Sequence, residues 1–499
     1  MSDLPQGWVE TCIDDIAEVN PGRLGDIAED AQISFVPMPA VSDTDGEIVN
    51  PTIRSYGEVS KGYTQFRDGD VIFAKITPCM ENGKIAVARA LEGGVACGST
   101  EFHVVRPFGD ISSDFLWRYL RQKSFRNGAE ASMTGAVGQR RVPASFLKKH
   151  SLALPPLPEQ QRILSKIDSL ASKSRRARGH LDHIPRLVEK YKQAILAAAF
   201  RGDLTREWRV KNSIFTTAPD FVAGRQLHAR EMAQSAGKGR DEKTAQFFTD
   251  ADMSGEIAAV SQERILPQDW CWTSIGCVFG VYIGATPSRK EQNFWDGNIP
   301  WVSSGEVAFC RISRTRETIS NKGLASTSTR LHPPGTVLIG MIGEGKTRGQ
   351  VAILDVPACN NQNCAAIRVA EAEYSAEYVY WYLWSVYETT RNAGAGNNQP
   401  ALNKDRVKRL LLPLAPVAEA KEIAKIIETA FAWIDRLAND ATSARKLIDH
   451  FDQAVLAKAF KGELVPQDPA DEPASTLLEC IRAERAAAPK VKGCRKKAV

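Results

Sequence analysis

Apolar residues recur at alternating steps of four and three along two stretches of the chain. The first stretch runs from Ile163 to Ile195, and the second runs from Ile423 to Val455. Such steps draw one stripe along a helix, and over this length they favour a coiled coil between two helices. Prolines precede each stretch, and Gly202 and Gly462 follow, which predicts where the helices begin and end. Pro185 predicts a kink in the first helix only.

The two stretches belong to a repeat of half the chain. Residues 4–8 read LPQGW and 266–270 read LPQDW, while 193–204 read QAILAAAFRGDL and 453–464 read QAVLAKAFKGEL. Ile163 and Ile423 are 260 positions apart, as are Gly202 and Gly462. The copies predict an approximate twofold symmetry, in which the two helices pair antiparallel. Each helix would be about 55 Å long at 1.5 Å per residue.

The segments before the helices alternate short strand-like runs with turn signals. DGDVIFAKI (68–76) and PGTVLIGMI (334–342) are typical runs, and SDFLWRYLRQ (113–122) and AEYVYWYLWSVY (376–387) predict amphipathic helices at similar places in the two halves. The predicted fold class is α+β: two mixed α/β domains joined by two long helices that form an antiparallel coiled coil, as a pseudo-twofold internal repeat. The predicted boundaries are domain one 1–153, helical region 154–205, polar linker 206–265, domain two 266–412, helical region 413–465 and C-terminal tail 466–499, with its basic end KVKGCRKKAV.

Composition narrows the class of protein. A chain of 499 residues is too long for one core, and 43% hydrophobic with 25% charged residues is typical of soluble proteins. Without an apolar run of membrane-spanning length or a signal-like N-terminus, the expected location is the cytoplasm, with no membrane partner. The ten cysteines are scattered without a zinc-site spacing, which favours reduced thiols. A net charge of +5 permits nucleic-acid binding without requiring it.

Several independent stretches resemble one family. PPLPEQQRI (155–163), followed by a helix that ends in AAAFRGDL, resembles the signature of the specificity subunits of type I restriction–modification enzymes. GATPSRKEQNFWDGNIPW (284–301) resembles the opening of one class of their target-recognition domains, and GDVIFAKITPCMENGK (69–84) with GSTEFHVVRP (98–107) resembles another. PLAPVAEAKEI (413–423) departs from the signature, because it lacks the adjacent pair Glu159 and Gln160.

This resemblance implies a non-catalytic subunit that reads double-stranded DNA. Each target-recognition domain would read one half of a split sequence in the major groove, and the helices would set the gap between the halves. Two modification methyltransferase subunits would dock on the helices, and restriction motor-nuclease subunits would complete the assembly. S-adenosylmethionine, ATP and Mg²⁺ would be bound by those partners, so no cofactor is expected on this chain.

Three local patterns suggest nucleotide binding, methyl transfer or metal binding, and each has a simpler interpretation. GMIGEGKT (340–347) matches a phosphate loop, but RGQVAIL follows where a helix should open, which favours a β-hairpin turn. NIPW (298–301) differs from the N-P-P-W motif of amino-methyltransferases, because Ile299 replaces the first proline. His180 and His183 have a spacing that could bind a metal, but no third ligand is evident and a solvated helix face is the simpler account.

Base recognition needs Arg or Lys for guanine and Asn or Gln for adenine, and these residue types cluster in Gly-rich polar segments. The candidates in domain one are Lys75, Thr77, Lys84, Gln139, Arg140 and Arg141. Those in domain two are Arg289, Lys290, Lys346, Arg348, Asn361, Gln362, Asn363, Asn397, Asn398 and Gln399. For any one of them, loop capping or surface solvation is an equal alternative.

Two other classes of function stay open on the residues alone. A nucleotide hydrolase or methyltransferase would rest on the phosphate-loop and NIPW patterns. A coiled-coil adaptor without a DNA role would rest on the helices.

Overall fold

The computed structural model of the chain describes residues 4–136, 138–213, 216–235, 250–343, 346–392 and 402–487. They fall into two units, Met1–Asp182 with Ala441–Val499, and His183–Asp440. Unit 1 therefore holds domain one with parts of both helical regions, and unit 2 holds domain two with the remaining parts.

The described residues of domain one form ten strands and five α-helices. In chain order these are β1 Val9–Cys12, α1 Ile13–Ile16, β2 Ala17–Val19, β3 Gln32–Val36, β4 Thr52–Ser55, α2 Tyr56–Val59, β5 Thr64–Arg67, β6 Val71–Ala74, β7 Ile85–Val87, β8 Val95–Gly98, β9 Phe102–Pro107, α3 Ser113–Leu120, α4 Lys123–Ala131, α5 Ala144–Lys149 and β10 Ser151–Leu154. Two four-stranded sheets have the orders β2-β9-β6-β7 and β4-β3-β8-β5, and β1 pairs with β10. All four residues of β6 are buried, as expected of a central strand whose two faces are both covered.

The first helical region and the linker are largely helical. They contain α6 Leu157–Asp182, α7 Ile184–Ala199, α8 Arg206–Lys211, α9 Ala218–Ser235 and α10 Asp250–Glu263. The break between α6 and α7 confirms the effect predicted for Pro185, which lies in the first turn of α7, where a missing N–H costs no helical hydrogen bond.

Domain two repeats much of the topology of domain one. Its elements are β11 Cys271–Ser274, α11 Ile275–Val278, β12 Gly280–Ile283, β13 Trp295–Val302, β14 Cys310–Ile312, β15 Glu317–Ile319, α12 Asn321–Ala325, β16 Val337–Gly340, β17 Val351–Leu354, β18 Cys359–Asn360, β19 Cys364–Arg368, α13 Ala376–Ser385, α14 Tyr387–Asn392, α15 Lys404–Arg409 and β20 Leu411–Leu414. The order β12-β19-β16-β17 matches β2-β9-β6-β7, with β14 added at its end. The second sheet, β15-β13-β18, has three strands where that of domain one has four. The pair β13 and β18 is parallel, as is the pair β3 and β8.

The second helical region is one continuous helix, α16 Val417–Ala459, followed by α17 Ala474–Ala487. In unit 1, Ser174 Oγ donates to Asp452 Oδ1 at 2.7 Å, Arg178 Nη2 donates to Asp449 Oδ1 at 2.8 Å, and Arg445 pairs with Asp182. Residue numbers rise along α6 while they fall along α16, so the two helices are antiparallel. In unit 2, Lys192 Nζ of α7 donates to Asp435 Oδ1 at 2.6 Å. The predicted fold class is confirmed.

The predicted apolar stripe is wrong at three positions. Tyr191, Leu437 and Phe451 have exposed side chains. At each of these places the next residue, respectively Lys192, Ala438 and Asp452, is the less exposed one. These shifts are local, since the stripe positions Ala441, Ala444 and Ile448 that follow Leu437 are again less exposed than their neighbours.

The segments after the long helices pack in a similar way in their own units. Ala218 and Val222 of α9 are buried in unit 2, and Ala474 and Leu478 of α17 are buried in unit 1. Their first residues also make equivalent bonds, since Ala218 N donates to Asp269 O and Ala474 N donates to Gly7 O, both at 2.9 Å. Parts of the linker and of the tail thus belong to the two cores. The basic end 490–499 lies outside the described residues.

Candidate functional site

Equivalent sheet edges in the two domains carry most of the candidate residues. In domain one, β6 ends where β9 begins, with Ala74 opposite Phe102. In domain two, β16 ends where β19 begins, with Gly340 opposite Cys364. We call these places the loop edges: residues 75–77, 99–101 and 139–142 in domain one, and 284–290, 341–343, 346–348 and 361–363 in domain two.

Backbone pairing assembles the loop edge of domain one. Ile76 and Arg141 form a β-bridge, Thr77 N donates to Arg140 O at 3.1 Å, and Val142 N donates to Lys75 O at 2.9 Å. These bonds bring together Lys75, Thr77, Gln139, Arg140 and Arg141, which are far apart in sequence.

Most charged groups of this edge already have protein partners. Arg141 clamps Glu101 with two nitrogens, Nε at 2.9 Å from Oε2 and Nη2 at 2.7 Å from Oε1, and this hydrogen bonding lowers the pKa of the Glu101 carboxyl. Lys75 Nζ donates to Thr100 O at 2.7 Å, and Arg140 Nη2 donates to Glu130 O at 3.0 Å. Gln139 is exposed. A bidentate arginine–carboxylate pair holds its side chains in one geometry, which makes this edge a preformed surface.

Thr77 and Lys84 have local partners. Thr77 Oγ1 donates to Glu81 Oε1 at 3.0 Å. Lys84 lies beside the end of β6, where Ala74 N donates to Lys84 O at 3.0 Å, and its Nζ donates to Val41 O at 2.7 Å and Met38 O at 3.3 Å. An ammonium bound to two carbonyls ties a loop to the sheet, so Lys84 has a structural contact in this fold.

Three residues beside this edge were missed from the sequence. Asn20, Arg23 and Gln65 line a cavity of about 290 Å³ together with Lys75 and Thr100. Asn20 accepts a hydrogen bond from Val104 N at 3.0 Å, and its side chain meets the buried ring of His103 at 3.0 Å. Burial lowers the pKa of His103. Strand pairing brings Asn20, which follows β2, beside β9, and no sequence motif signals this neighbourhood.

In domain two, amide side chains follow β18 at the loop edge. Thr286 Oγ1 donates to Gln362 Oε1 at 2.6 Å, and Met341 N donates to Asn363 O at 2.8 Å. A side chain at Gly284 would come within 1.8 Å of Asn360 O, so only glycine allows the two segments to approach this closely. Asn361 is buried, whereas Gln362 is exposed.

The candidate Arg289 lies on an aromatic platform. Its guanidinium carbon is 3.8 Å from the ring centroid of Trp295, and Nη2 donates to Glu317 Oε2 at 3.0 Å. The hydrogen bonds from Arg289 lower the pKa of Glu317. The neighbouring Lys290 is exposed. Stacking and pairing hold Arg289 in place, while Lys290 extends into solvent.

The segment that matched a phosphate loop connects two antiparallel strands. β16 pairs with β17, and residues 346–349 form turns rather than the first turn of a helix. Tyr387 OH donates to Lys346 O at 2.6 Å, and Arg348 Nη2 donates to Arg391 O at 2.9 Å. The Lys346 side chain is exposed. The hairpin interpretation is confirmed.

Three candidates, Asn397, Asn398 and Gln399, lie outside the described residues.

The NIPW segment is part of β13, with Trp301 buried. His180 and His183 are exposed, and within the described ranges no group of three or more His, Cys, Asp or Glu side chains could hold a metal ion. No helix in the described parts of the chain is both long and apolar enough to cross a membrane.

Comparison with known proteins identifies the family. The model of the family described as "Type I restriction modification DNA specificity domain" matches residues 5–184 and 267–442, which make up more than half of the chain. This chain belongs to that family. The resemblance of the signature segments is thereby confirmed, and the chain is a DNA-recognition component, a class of subunit that is not itself catalytic.

Individual relatives agree over most of the length. The EcoAI and EcoEI specificity subunits of Escherichia coli are each 26% identical to this chain, over 92% of it and 83% of their own length. The HsdS subunit from Thermoanaerobacter tengcongensis has the same fold, with a TM-score of 0.59 at 20% identity over 92% of this chain and 98% of that one. A chain from a study of assembly and conformational transition in a type I R-M system has a TM-score of 0.60 at 19% identity, over 93% and 100% of the two chains.

Proposed function

We propose that this specificity subunit reads a bipartite DNA target, one half with each domain, and directs adenine methylation and DNA cleavage by partner subunits. The observation that carries the proposal is the pair of loop edges, which occupy equivalent ends of the same sheet topology but present different side chains. The first edge presents Lys75 and Arg141 with Glu101, whereas the second presents Gln362 beside Arg289 and Lys290. Different donor and acceptor sets on one scaffold suit two different half-sites.

The contacts above divide the candidates by proposed role. We propose base contact for Gln139, Gln362 and Lys290, which are exposed at the loop edges. Lys75, Arg141 and Arg289 are held by neighbours and would present the remaining N–H groups in fixed directions. Lys346 would meet a phosphate, while Thr77, Lys84, Arg140, Arg348, Asn361 and Asn363 would support the loops. Asn397, Asn398 and Gln399 stay candidates for base contact.

Two methyltransferase subunits are the proposed partners of the helices. Leu187 and Tyr191 on α7 are exposed, as are Leu447 and Phe451 on α16. Members of each pair are four residues apart and so lie on one helix face, and the second pair follows the first by 260 positions. The same exposed apolar pair, present once in each unit, would suit two copies of one partner.

The motor-nuclease subunits follow from the family resemblance, as do S-adenosylmethionine, ATP and Mg²⁺ bound on partners. The proposed location is the cytoplasm.

Exchange of one domain tests the proposal. Residues 1–153 are replaced by the matching domain of a relative with a known target, and methylated adenines are mapped by single-molecule sequencing of the host genome. One half of the methylated sequence should change while the other half stays. A change in both halves, or in neither, contradicts reading by two separate domains.

A further inference from the structure

The first turn of each long helical region contains a buried glutamate that contacts the start of its own domain. Trp8 Nε1 donates to Glu159 Oε2 at 2.9 Å in unit 1, and Trp270 Nε1 donates to Glu419 Oε2 at 2.9 Å in unit 2. Both glutamates are at most 1% exposed. Although the second copy lacks the Glu-Gln pair as a pair, it keeps the glutamate, so the contact is present twice.

The other carboxylate oxygen binds the segment that follows the opposite helix. In unit 2, Glu419 Oε1 accepts from Thr205 Oγ1 at 2.6 Å and from Arg209 Nη1 at 2.5 Å, and Arg209 Nη2 also donates to Gly202 O at 2.7 Å. In unit 1, Gln467 Nε2 takes the place of the arginine, 3.2 Å from Glu159 Oε1 and 2.6 Å from Gly462 O.

The two glycines bring the helix ends against the domains. Gly202 has a φ of +77° and Gly462 of +76°, and a side chain at either would come within 2.5 Å of Pro267 or 2.4 Å of Pro5. Three segments therefore meet at each glutamate: the start of a domain, the start of one helical region and the end of the other. We call each meeting point a joint.

Stability alone is a weak explanation for a buried carboxylate. Burying a charge costs several kcal/mol before its partners compensate, and apolar side chains of similar size often give equal stability. What a carboxylate adds is direction, because each oxygen accepts along particular lines and an unmade bond is costly. The joints thus restrict the angle between a domain and its helices.

We propose that Glu159 and Glu419 are positioning residues, which set the spacing between the two half-sites by fixing each domain on the helical layer. The proposal rests on the proposed function, since it presupposes a bipartite target. The range of domain orientations that a joint allows then limits the range of spacer lengths that the complex accepts. Each base pair of spacer adds about 3.4 Å of DNA.

The test uses the full chain in complex with two methyltransferase subunits. Methylation is measured on a series of duplexes that differ only in spacer length, for the wild type, Glu419→Ala and the milder Trp270→Phe, which removes the indole N–H but keeps a ring. The matched control is Glu422→Ala on the same helix, whose carboxylate lies 3.8 Å from Lys425 Nζ. Duplexes with a single half-site report whether domain two still binds DNA.

Both joint variants should keep their half-site sequences but discriminate less between spacers. Since a misplacement of about 1 Å can cost on the order of a hundredfold in rate, we expect methylation at the best spacer to fall about tenfold in Glu419→Ala while the neighbouring spacers gain relative to it. Gln467→Arg copies the pairing of Arg209 into unit 1 and should narrow the range of accepted spacers. Glu422→Ala should match the wild type.

The outcomes separate this inference from the proposed function. A wild type without any spacer preference overturns the bipartite target itself. A spacer-selective wild type with the same profile in Trp270→Phe and Glu419→Ala, even if both melt at lower temperature, overturns the positioning role and leaves the glutamates as stabilising residues.

Discussion

His332 should make the stability of domain two sensitive to mild acid. Its side chain is completely buried, and its backbone bridges to Ala358, with His332 N donating to Ala358 O at 2.9 Å. Nδ1 accepts a hydrogen bond from Arg368 Nε at 3.0 Å, which requires the neutral ring. Burial, together with the positive charge of Arg368, lowers the pKa of His332 to about 3.

The magnitude follows from linkage between protonation and folding. In the unfolded chain a histidine has a pKa of about 6.5, so below this pH the unfolded state binds a proton that the folded state excludes. The contribution to stability is complete above the unfolded pKa and is lost as the pH falls from about 6.5 towards 3. Between pH 7 and pH 5 the loss is about 2 kcal/mol, since one pH unit in this window is worth about 1.4 kcal/mol.

The variant His332→Gln keeps an acceptor for Arg368 but cannot take up a proton. Urea unfolding of wild type and variant, followed by tryptophan fluorescence at pH 7, 6 and 5, gives the difference in unfolding free energy at each pH. The stability of the wild type relative to the variant should fall by about 2 kcal/mol towards pH 5, because only the unfolded wild type gains a proton at position 332. Gln161→Ala, at an exposed helical position without a titratable side chain, is the control and should keep a constant difference. If the unfolding free energies of the wild type and His332→Gln differ by the same amount at all three pH values, the buried neutral histidine does not make the stability of domain two depend on pH.

Further variants test other contacts. Lys84→Met should lower the unfolding free energy by about 2 kcal/mol, because it removes charged hydrogen bonds to two carbonyls, and should leave the methylated sequence unchanged in genome mapping. Lys346→Ala should weaken DNA binding equally for all sequences and lower the slope of log affinity against log salt by about one. ATP hydrolysis by the assembled complex should stay intact. Loss of hydrolysis at normal DNA affinity would contradict the hairpin assignment. Seven residues inserted after both Ala177 and Leu437 should add about 10 Å of helix and lengthen the preferred spacer by about three base pairs, whereas an unchanged optimum in a folded variant would mean that helix length does not set the distance.

The repeat and the helices could be predicted because they depend on spacing along the chain. The fixed offset, the bounding prolines and glycines, and Pro185 in the first helix only all reappear in the fold. The stripe failed at Leu437 and Phe451, where the next residue along α16 is the less exposed one, because spacing alone does not show which side chains a neighbouring helix covers. The helices α9 and α17 lie in polar segments whose few apolar residues gave too weak a periodicity to predict their packing.

The candidate residues were chosen by residue type, and their contacts in the fold could not be predicted from the sequence. Gly-rich polar segments do mark the loop edges, and Lys75 and Gln362 lie there. The sequence could not reveal that Lys84 binds two carbonyls, because its acceptors Met38 and Val41 lie more than 40 positions away. Asn20 was missed for the same reason, since strand pairing alone brings it beside the edge.

The two halves share the contacts that hold each domain on its helices, and they differ in the side chains that we propose to contact DNA. Trp8 and Trp270 with their glutamates make the same bond at the same distance, whereas the loop edges share a position in the sheet but few side chains. Bonds that fix a domain on the helices depend only on the scaffold, so they can stay identical while base-contacting side chains differ. A domain exchanged at its joint would therefore bring its own half-site and inherit the spacing of the new chain. Under the two proposals made above, this division lets one fold, used twice in a chain, read two different half-sites at one separation.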